Sequence, residues 1–129
     1  MKAKVLLVLA IVFGALFAVQ QLQASQSVDV KQAQTMISQG ALLLDVREPS
    51  EYAAVHVPHA KLIPLGDVNA HLKEIEAYKD KPIAVMCRSG HRSAIATAML
   101  REAGFTQASS VDGGIQAWER AGLEVIKPR

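Results

Sequence analysis

The sequence is poor in the residues that most often build metal and disulfide sites. Its 129 residues include one cysteine, Cys87, and four scattered histidines. One cysteine cannot form a disulfide within the chain, and these five residues show no metal-ligand spacing. A glycine pattern for binding nucleotide phosphates is also absent. The sequence therefore predicts no metal and no other cofactor, and it leaves Cys87 as an unpaired thiol.

An excess of charge of one sign is lacking as well. The chain has 14 Lys and Arg residues against 12 Asp and Glu residues. Two of the basic residues, Lys2 and Lys4, lie in the first 24 positions, where there is no acidic residue, so residues 25–129 are formally neutral. No basic stripe remains that would favour nucleic acid binding.

One long apolar run is present, at residues 5–19, directly after Lys2 and Lys4. It is shorter than the roughly 20 residues that span a bilayer comfortably. A basic start, an apolar run and a small-residue exit at Ala24 are typical of a secretory signal. We therefore expect residues 1–24 to be a cleaved signal peptide, residues 25–129 to form one domain, and the mature protein to be periplasmic. The alternatives are an uncleaved N-terminal anchor, which would be the membrane contact of the protein, and a buried core helix.

Strands and helices are predicted to alternate along residues 25–129. Apolar runs predict five strands, at 41–46, near Leu62, at 81–87, near Val111 and at 123–127. Helical patterns cover residues 28–40, 49–55, 67–80, 93–104 and 113–122. This alternation predicts an α/β fold whose parallel sheet is covered by helices on both faces. Ligands of such sheets bind beyond the carboxyl ends of the strands, which is where Cys87 lies.

The loop that follows, "CRSGHRS", is suited to holding a thiolate. Gly90 allows the sharp turn from strand to helix, in which successive backbone N–H groups can point inward as an anion-binding nest. The start of the next helix and the charges of Arg88 and Arg92 favour the ionised sulfur further. An unpaired thiol is also unusual in an oxidising compartment, which favours a chemical role for Cys87. The alternative is a small buried cysteine beside solvated arginines.

Three segments in this order resemble the rhodanese-like sulfurtransferases: "LLLDVREPSEY", the Cys-x4-Arg loop from Cys87 to Arg92, and "VDGGIQAWERAG". The resemblance spans about residues 28–126. With the leader, the chain is similar to the small exported rhodaneses of the phage shock protein E type. The resemblance implies a three-layer fold with a five-stranded, mostly parallel sheet flanked by helices. It also implies transfer of the outer sulfur of thiosulfate, through a persulfide on Cys87, to cyanide or another thiophilic acceptor such as a protein thiol.

The resemblance also implies roles for individual residues. Cys87 would be the nucleophile, and Arg92 would close the loop by pairing with its carbonyls or with Asp45. Asp45 and Arg47 would brace the loop and neighbouring segments. The backbone of the loop would bind the sulfane sulfur and Arg88 would meet the donor; these substrate-binding residues are Arg88, Ser89, Gly90 and His91. The residues expected to be structural are Gly113, Gly114 and Trp118.

The chain departs from the family pattern at "VHVPHA", where Val55 and His59 stand at positions that are commonly glycine. This difference puts the local turn geometry in question. His56 and His59 are expected to be surface or capping residues, and the side chain of His91 is expected to point to solvent.

Two other functions remain open at this stage. One is a phosphatase of the dual-specificity Cdc25-like type, which shares this fold, or an arsenate reductase; the phosphatase loop is Cys-x5-Arg, and here that position is Ser93. The loop also lacks an acidic residue for a leaving group. The second alternative is a sulfide-carrying or partner-binding module without turnover, against which the intact Cys87 counts.

Overall fold

The computed structural model describes residues 4–5, 7–15 and 26–129. The strands are β1 (Ser27–Val28), β2 (Leu42–Asp45), β3 (Lys61–Leu62), β4 (Ile83–Met86) and β5 (Ala108–Val111). The α-helices of residues 26–129 are α1 (Val30–Ser38), α2 (Pro49–Ala54), α3 (His91–Glu102) and α4 (Gly114–Arg120). Two 3₁₀ segments, Leu65–Asp67 and Asn69–Tyr78, connect β3 to β4.

Within residues 26–129 the five strands form one sheet in the order β1-β5-β4-β2-β3, and every pairing is parallel. The sheet therefore confirms the predicted fold class. Strands β2 and β4 pair in register from Leu42 opposite Ile83 to Asp45 opposite Met86. Because both strands end at the same level, Asp45 and Cys87 come out at the same edge of the sheet.

Alternate residues of the central strands belong to two hydrophobic clusters, one on each face of the sheet. Leu44 and Val85 pack with residues of α3 and of the second 3₁₀ segment. Leu43 and Ala84 pack with residues of α1 and α4. Strands that are buried on both faces read as continuous apolar runs, which is why β2 and β4 were predictable.

The edge strands differ from the prediction. Residues 123–127 form no strand, and Ile126 makes only an isolated antiparallel bridge with His56. The strand at the opposite end of the sheet is β1, whose second residue, Val28, belonged to the helix predicted at 28–40. That helix begins later, because the Asp29 side chain accepts a hydrogen bond from the N–H of Gln32 and the Gln32 side chain accepts one from the N–H of Asp29, both at 2.8 Å. This capping box fixes the start of α1 and leaves Ser27–Val28 extended beside β5.

The helix predicted at 67–80 is instead a 3₁₀ segment. Its backbone makes bonds three residues apart, such as His71 N–H to Val68 O at 3.1 Å, and it is interrupted at His71 (φ −117°, ψ 18°). Val68 and Ile75 are buried, as the pattern predicted. The pattern thus indicated the correct buried face and the wrong helix type.

The N-terminal segment is described only in part. Residues 4–5 and 7–15 are helical, and the apolar side chains among them, including Val5, Leu7 and Phe13, are exposed. These side chains do not join the core, so the buried core helix is wrong for the residues described. The expected cleavage site at Ala24 lies outside the described residues. Among the residues that are described, no helix has the length and apolarity to cross a bilayer.

Candidate active site

The Cys87 loop occupies the carboxyl edge of the sheet, between β4 and α3. Cys87 directly follows Met86, the last residue of β4, and α3 begins at His91. Gly90 precedes the helix with φ +110°, a conformation that residues with a side chain rarely adopt. Its N–H donates to the sulfur of Cys87 at 3.1 Å. The turn that the sequence predicted at Gly90 is therefore present, and its amide points at the sulfur.

The first residues of α4 form the back wall of the loop. The N–H of Ile115 donates to the carbonyl of Cys87 at 2.9 Å, and the N–H of Gln116 donates to the carbonyl of Arg88 at 3.2 Å. A Cβ atom on Gly114 would lie only 2.4 Å from the Cys87 carbonyl oxygen, so this approach requires glycine. Because these carbonyls are turned toward α4, the loop amides are free to face the sulfur. The glycine pair at 113–114, expected to be structural, is thus what orients the loop.

The sulfur of Cys87 is buried but lies among hydrogen-bond partners. The side chain is 1% exposed, and its Sγ lies 3.1 Å from the N of Gly90 and 3.4 Å from the Oγ of Ser93. Burial raises the pKa of the Cys87 thiol, but the Ser93 hydroxyl and the backbone N–H groups of Ser93, Gly90 and Ser89 together lower it by more. The net result is a thiol pKa below its ordinary value. A cysteine surrounded by apolar groups alone would have the opposite shift.

Arg92 pairs with a residue that the sequence analysis did not consider. Its two guanidinium nitrogens Nη1 and Nη2 lie 2.6 and 2.9 Å from the carboxylate oxygens of Glu51. The expected pairing of Arg92 with the loop carbonyls or with Asp45 is wrong. The carbonyls of Cys87 and Arg88 are held by α4, and Asp45 is already bound by another arginine.

The Glu51–Arg92 pair is strongly coupled. The hydrogen bond from Arg92 lowers the pKa of Glu51 from 4.5 to about 2, against the opposing effect of burial. The same bond raises the pKa of Arg92. The pair therefore stays ionised throughout the neutral pH range, and most of the positive charge of Arg92 is balanced locally.

The partner of Asp45 is Arg47, two residues along the chain. Both side chains are buried, and Nη2 of Arg47 lies 2.7 Å from Oδ2 of Asp45. Arg47 also donates to the carbonyl oxygens of Val55, at 2.7 Å, and Glu51, at 3.3 Å. The predicted bracing role is thus exerted on helix α2, which carries Glu51, rather than directly on the Cys87 loop.

The remaining predicted binding residues lie at the surface of the loop. Arg88, Ser89 and His91 are exposed. The exposure of His91 agrees with the expectation that its side chain points to solvent.

The turn at "VHVPHA" forms without its usual glycines. Val55 is extended (φ −162°), a conformation open to any residue, whereas His59 takes φ +66°. The Nδ1–H of His56 donates a hydrogen bond to the carbonyl oxygen of Tyr52 at 2.8 Å, and the His56 ring stacks on Tyr52 with centroids 3.9 Å apart. His56 is therefore a capping residue at the end of α2, and His59 is an exposed turn residue.

Three residues of the site escaped the sequence analysis: Glu51, Ser93 and Ser110. Ser93 follows Arg92 directly, and its hydroxyl lies 2.7 Å from that of Ser110 in β5. Both serines are buried. A serine in a strand that is predicted to be buried needs a polar partner, and that requirement was the available signal for Ser110. In the described part of the chain no cluster of three or more His, Cys, Asp or Glu side chains is arranged to hold a metal.

Comparison with known proteins identifies a family and several relatives. The profile of the rhodanese-like domain matches residues 29–121. A sulfurtransferase of Allochromatium vinosum is 36% identical over 104 residues, which cover 81% of this chain and 92% of that protein. The thiosulfate sulfurtransferase GlpE of Pseudomonas syringae is also 36% identical, over 88 residues that cover 68% of this chain and 81% of the relative.

Solved structures agree with this comparison. The crystal structure of a rhodanese-related protein from Thermoplasma volcanium superposes with a TM-score of 0.71 at 33% identity, covering 78% of this chain and 97% of that one. The human single-domain sulfurtransferase TSTD1 superposes with a TM-score of 0.67 at 26% identity, covering 74% and 96% respectively. Each of these chains shares the α/β architecture described above over most of its length.

Proposed function

The chain belongs to the rhodanese-like family, and from that premise we propose that it transfers a sulfane sulfur from thiosulfate, or a similar small anionic donor, to cyanide or another thiophilic acceptor. Its relatives are sulfurtransferases, which supports sulfur transfer in general. The name of the Pseudomonas syringae relative favours thiosulfate as the donor.

The observation that carries the proposal is the environment of one sulfur atom. Cys87 is buried, its pKa is lowered, and the N–H of Gly90 points at it from 3.1 Å. A thiolate in this position attacks the outer sulfur of thiosulfate. The S–S bond of the donor breaks, sulfite leaves with the bonding electrons, and Cys87 carries the transferred sulfur as a persulfide. The amides that faced the thiolate then lie close to the new terminal sulfur, which bears the charge.

The second half of the reaction reverses these roles. Cyanide attacks the outer sulfur of the persulfide, thiocyanate leaves, and the thiolate of Cys87 is regenerated. A thiol acceptor in its ionised form would react in the same way and leave as a persulfide. Stabilisation of the Cys87 thiolate is thus useful in both directions, first as nucleophile and then as leaving group.

The donor is anionic, and Arg88 is the residue best placed to receive it. Arg88 is exposed on the loop, and within residues 26–129 it has no carboxylate partner in the structure. Arg92 differs, because Glu51 already balances its charge.

The ion pair of Glu51 and Arg92 weighs against phosphatase or arsenate reductase chemistry. A phosphate dianion that used Arg92 would first have to displace a carboxylate held at 2.6 and 2.9 Å. Ser93, at the position where the longer loop has its arginine, is buried and bound to Cys87 and Ser110. A module that only binds partners has no need for a thiol with a lowered pKa.

Export is a further part of the proposal. The order of basic, apolar and small residues in positions 1–24 supports a signal peptide and a periplasmic location. Mass spectrometry of the protein recovered from cells would test this point, because a signal peptide predicts a mature chain that begins near Ser25.

The decisive experiment is turnover of thiosulfate and cyanide by the full chain, compared with Cys87→Ser. We expect thiocyanate formation by the wild-type protein and none by the variant, which keeps its size and fold. Protein treated with thiosulfate should also be about 32 Da heavier, by one sulfur, and should lose that mass on addition of cyanide. Hydrolysis of an aryl phosphate without thiocyanate formation, or equal rates for folded wild type and variant, would overturn the proposal.

A further inference from the structure

The hydroxyl of Ser93 has three hydrogen-bond partners but only one proton to donate. Its Oγ lies 3.4 Å from the sulfur of Cys87, 3.1 Å from the carbonyl oxygen of Gly90 and 2.7 Å from the Oγ of Ser110. Ser93 is fully buried and Ser110 is 5% exposed. A hydroxyl has one proton to donate and two lone pairs to accept with, so the direction of each bond must depend on the state of the sulfur.

With a neutral thiol every group is satisfied in one arrangement. The thiol of Cys87 donates to Ser93, Ser93 donates to the carbonyl of Gly90, and Ser110 donates to the second lone pair of Ser93. When the sulfur ionises, it loses the proton it donated and becomes an acceptor only. The Ser93 oxygen would then present a lone pair to a negative sulfur, which is unfavourable.

The carbonyl of Gly90 makes the alternative arrangement possible. It also accepts the N–H of Ala94 at 3.1 Å, so it keeps a partner if Ser93 turns away. The oxygen of Ser93 does not have to move, because rotation about the Cβ–Oγ bond is enough to turn the hydrogen. Turning that hydrogen to the sulfur therefore leaves no buried polar group without a partner.

We propose that Ser93 is a further catalytic residue, whose hydroxyl turns from the Gly90 carbonyl to the sulfur of Cys87 whenever that sulfur is charged, and that Ser110 is the positioning residue that holds it. Ser110 donates to Ser93 in both arrangements, which fixes the oxygen and strengthens its donation. In the persulfide the charge resides on the outer sulfur, and Ser93 returns to Gly90. The part that Ser93 plays in turnover rests on the proposed function, whereas its effect on the thiol does not.

Charged groups near Cys87 come from several of the neighbouring elements, and the test must hold them constant. The loop and α3 contribute Arg88, His91 and Arg92, α2 contributes Glu51, β2 contributes Asp45, and the residue after β5 is Asp112. None of these side chains hydrogen-bonds to Ser93 or Ser110 in the described structure. Removing either hydroxyl therefore changes a neutral group and leaves the charges in place.

The single cysteine makes the experiment clean. The rate of alkylation by iodoacetamide, followed against pH in the full chain, reports ionisation at Cys87 alone. Ser93→Ala should raise the midpoint by about one pH unit, a roughly tenfold loss of thiolate at any pH below both midpoints. Ser110→Ala should raise it by less, because Ser93 is still present but no longer held.

Two control variants separate this effect from a loss of packing. Ser110 borders a cleft of about 260 Å³, so Ser110→Thr has room for its methyl group, retains the hydroxyl and should titrate as wild type. Thr97→Val removes another buried hydroxyl, one that donates to the Ser93 carbonyl at 2.7 Å and does not contact the sulfur. Its midpoint should also match that of the wild type, even if its melting temperature falls.

A purely structural role would lower the melting temperatures of Ser93→Ala and Ser110→Ala and leave both midpoints unchanged, and this result would overturn the inference. If Ser93→Ala does not fold, Ser110→Ala and Ser110→Thr decide the question in the same way. Shifted midpoints in a protein without sulfur transfer would remove the proposed function and keep the effect of the hydroxyl. Normal turnover with unshifted midpoints would remove the inference alone.

Discussion

Two arginine–carboxylate pairs lie near the carboxyl edge of the sheet, and they differ in almost every physical respect. The pair of Asp45 and Arg47 is 1% and 2% exposed, and four nitrogens of Arg47 donate, through bonds of 2.7–3.3 Å, to the Asp45 carboxylate and to two backbone carbonyls. The pair of Glu51 and Arg92 is 29% and 30% exposed and is joined by two bonds, and Glu51 accepts a third from the N–H of Glu48. The first lies inside the fold, and the second lies beside the reactive loop.

Burial decides what each pair does. Charges removed from water must keep their partner, because a single one left behind is strongly unfavourable. Charges that remain in contact with water lose little when the pair opens. The buried pair therefore holds helix α2 in place, and the exposed pair is free to tune the charge at the loop without determining whether the protein folds.

The largest effect is expected from breaking the buried pair. Arg47→Met keeps the aliphatic length of the side chain but leaves the Asp45 carboxylate buried without its cation. We expect a loss of about 3–5 kcal/mol in the free energy of unfolding, measured by urea denaturation. Lys61→Met is the matched control, since it breaks an exposed pair with Glu74 and should cost far less.

A difference below about 1 kcal/mol between Arg47→Met and Lys61→Met would contradict the contrast between buried and exposed pairs. The expected loss is a large part of the 5–15 kcal/mol that stabilises a typical domain. The measurement should therefore be made at low temperature, where the variant is still folded.

A smaller effect, with a distinct pH dependence, is expected at the exposed pair. The pKa of Glu51 is about 2 in the folded protein and 4.5 ordinarily, so folding favours its ionised form. The stabilisation from Glu51 is fully present above pH 4.5 and is lost as the pH falls toward 2. The wild type should accordingly exceed Glu51→Gln in stability by about 1 kcal/mol or less at neutral pH, with the gap closing over this acid range.

The double variant Glu51→Gln/Arg92→Met provides the control for this titration. Its stability relative to Arg92→Met should show a smaller acid transition, because Arg92, the largest cause of the lowered pKa of Glu51, is missing from both and only the N–H of Glu48 and the charge of Arg47 still lower it. A gap between wild type and Glu51→Gln that stayed constant from pH 7 to pH 2 would mean that the two residues are not coupled as the structure indicates.

The two pairs also show what a sequence reveals and what it hides. Asp45 and Arg47 are two residues apart at the end of an apolar run, and both were predicted to have a bracing role, although their pairing with each other was not predicted. Glu51 and Arg92 are 41 residues apart, and their contact depends on how α2 and α3 are placed by the sheet. No periodicity reports such a distance, and the prediction consequently gave Arg92 the wrong partner.

The same division applies to the fold. The central strands β2 and β4 were predictable because burial on both faces demands an unbroken apolar run. The edge strand Ser27–Val28 has only two residues, too few to show a pattern, and the apolar residues at 123–127 resembled a strand without pairing as one. The glycine pair at 113–114 was recognised as structural. Its function of letting the loop carbonyls turn toward α4 is visible only once α4 is placed against Cys87.

The smallest effect on stability is expected at Arg88. Unlike the arginines of the buried and exposed pairs, Arg88 has no carboxylate partner among residues 26–129. Arg88→Ala should leave the free energy of unfolding unchanged, because an exposed side chain with no ion pair contributes little to folding. It should raise the Michaelis constant for thiosulfate roughly fivefold to thirtyfold, as expected for the loss of about 1–2 kcal/mol of attraction to a dianion in water. The value of kcat should change little, since this attraction acts on bound donor and transition state alike.

Steady-state kinetics at low and high ionic strength would check the Arg88→Ala prediction, because added salt should weaken thiosulfate binding to the wild type more than to the variant. An unchanged Michaelis constant together with a reduced kcat would instead assign Arg88 to the transfer step and remove the distinction drawn here between the arginine that receives the donor and the arginine that Glu51 neutralises.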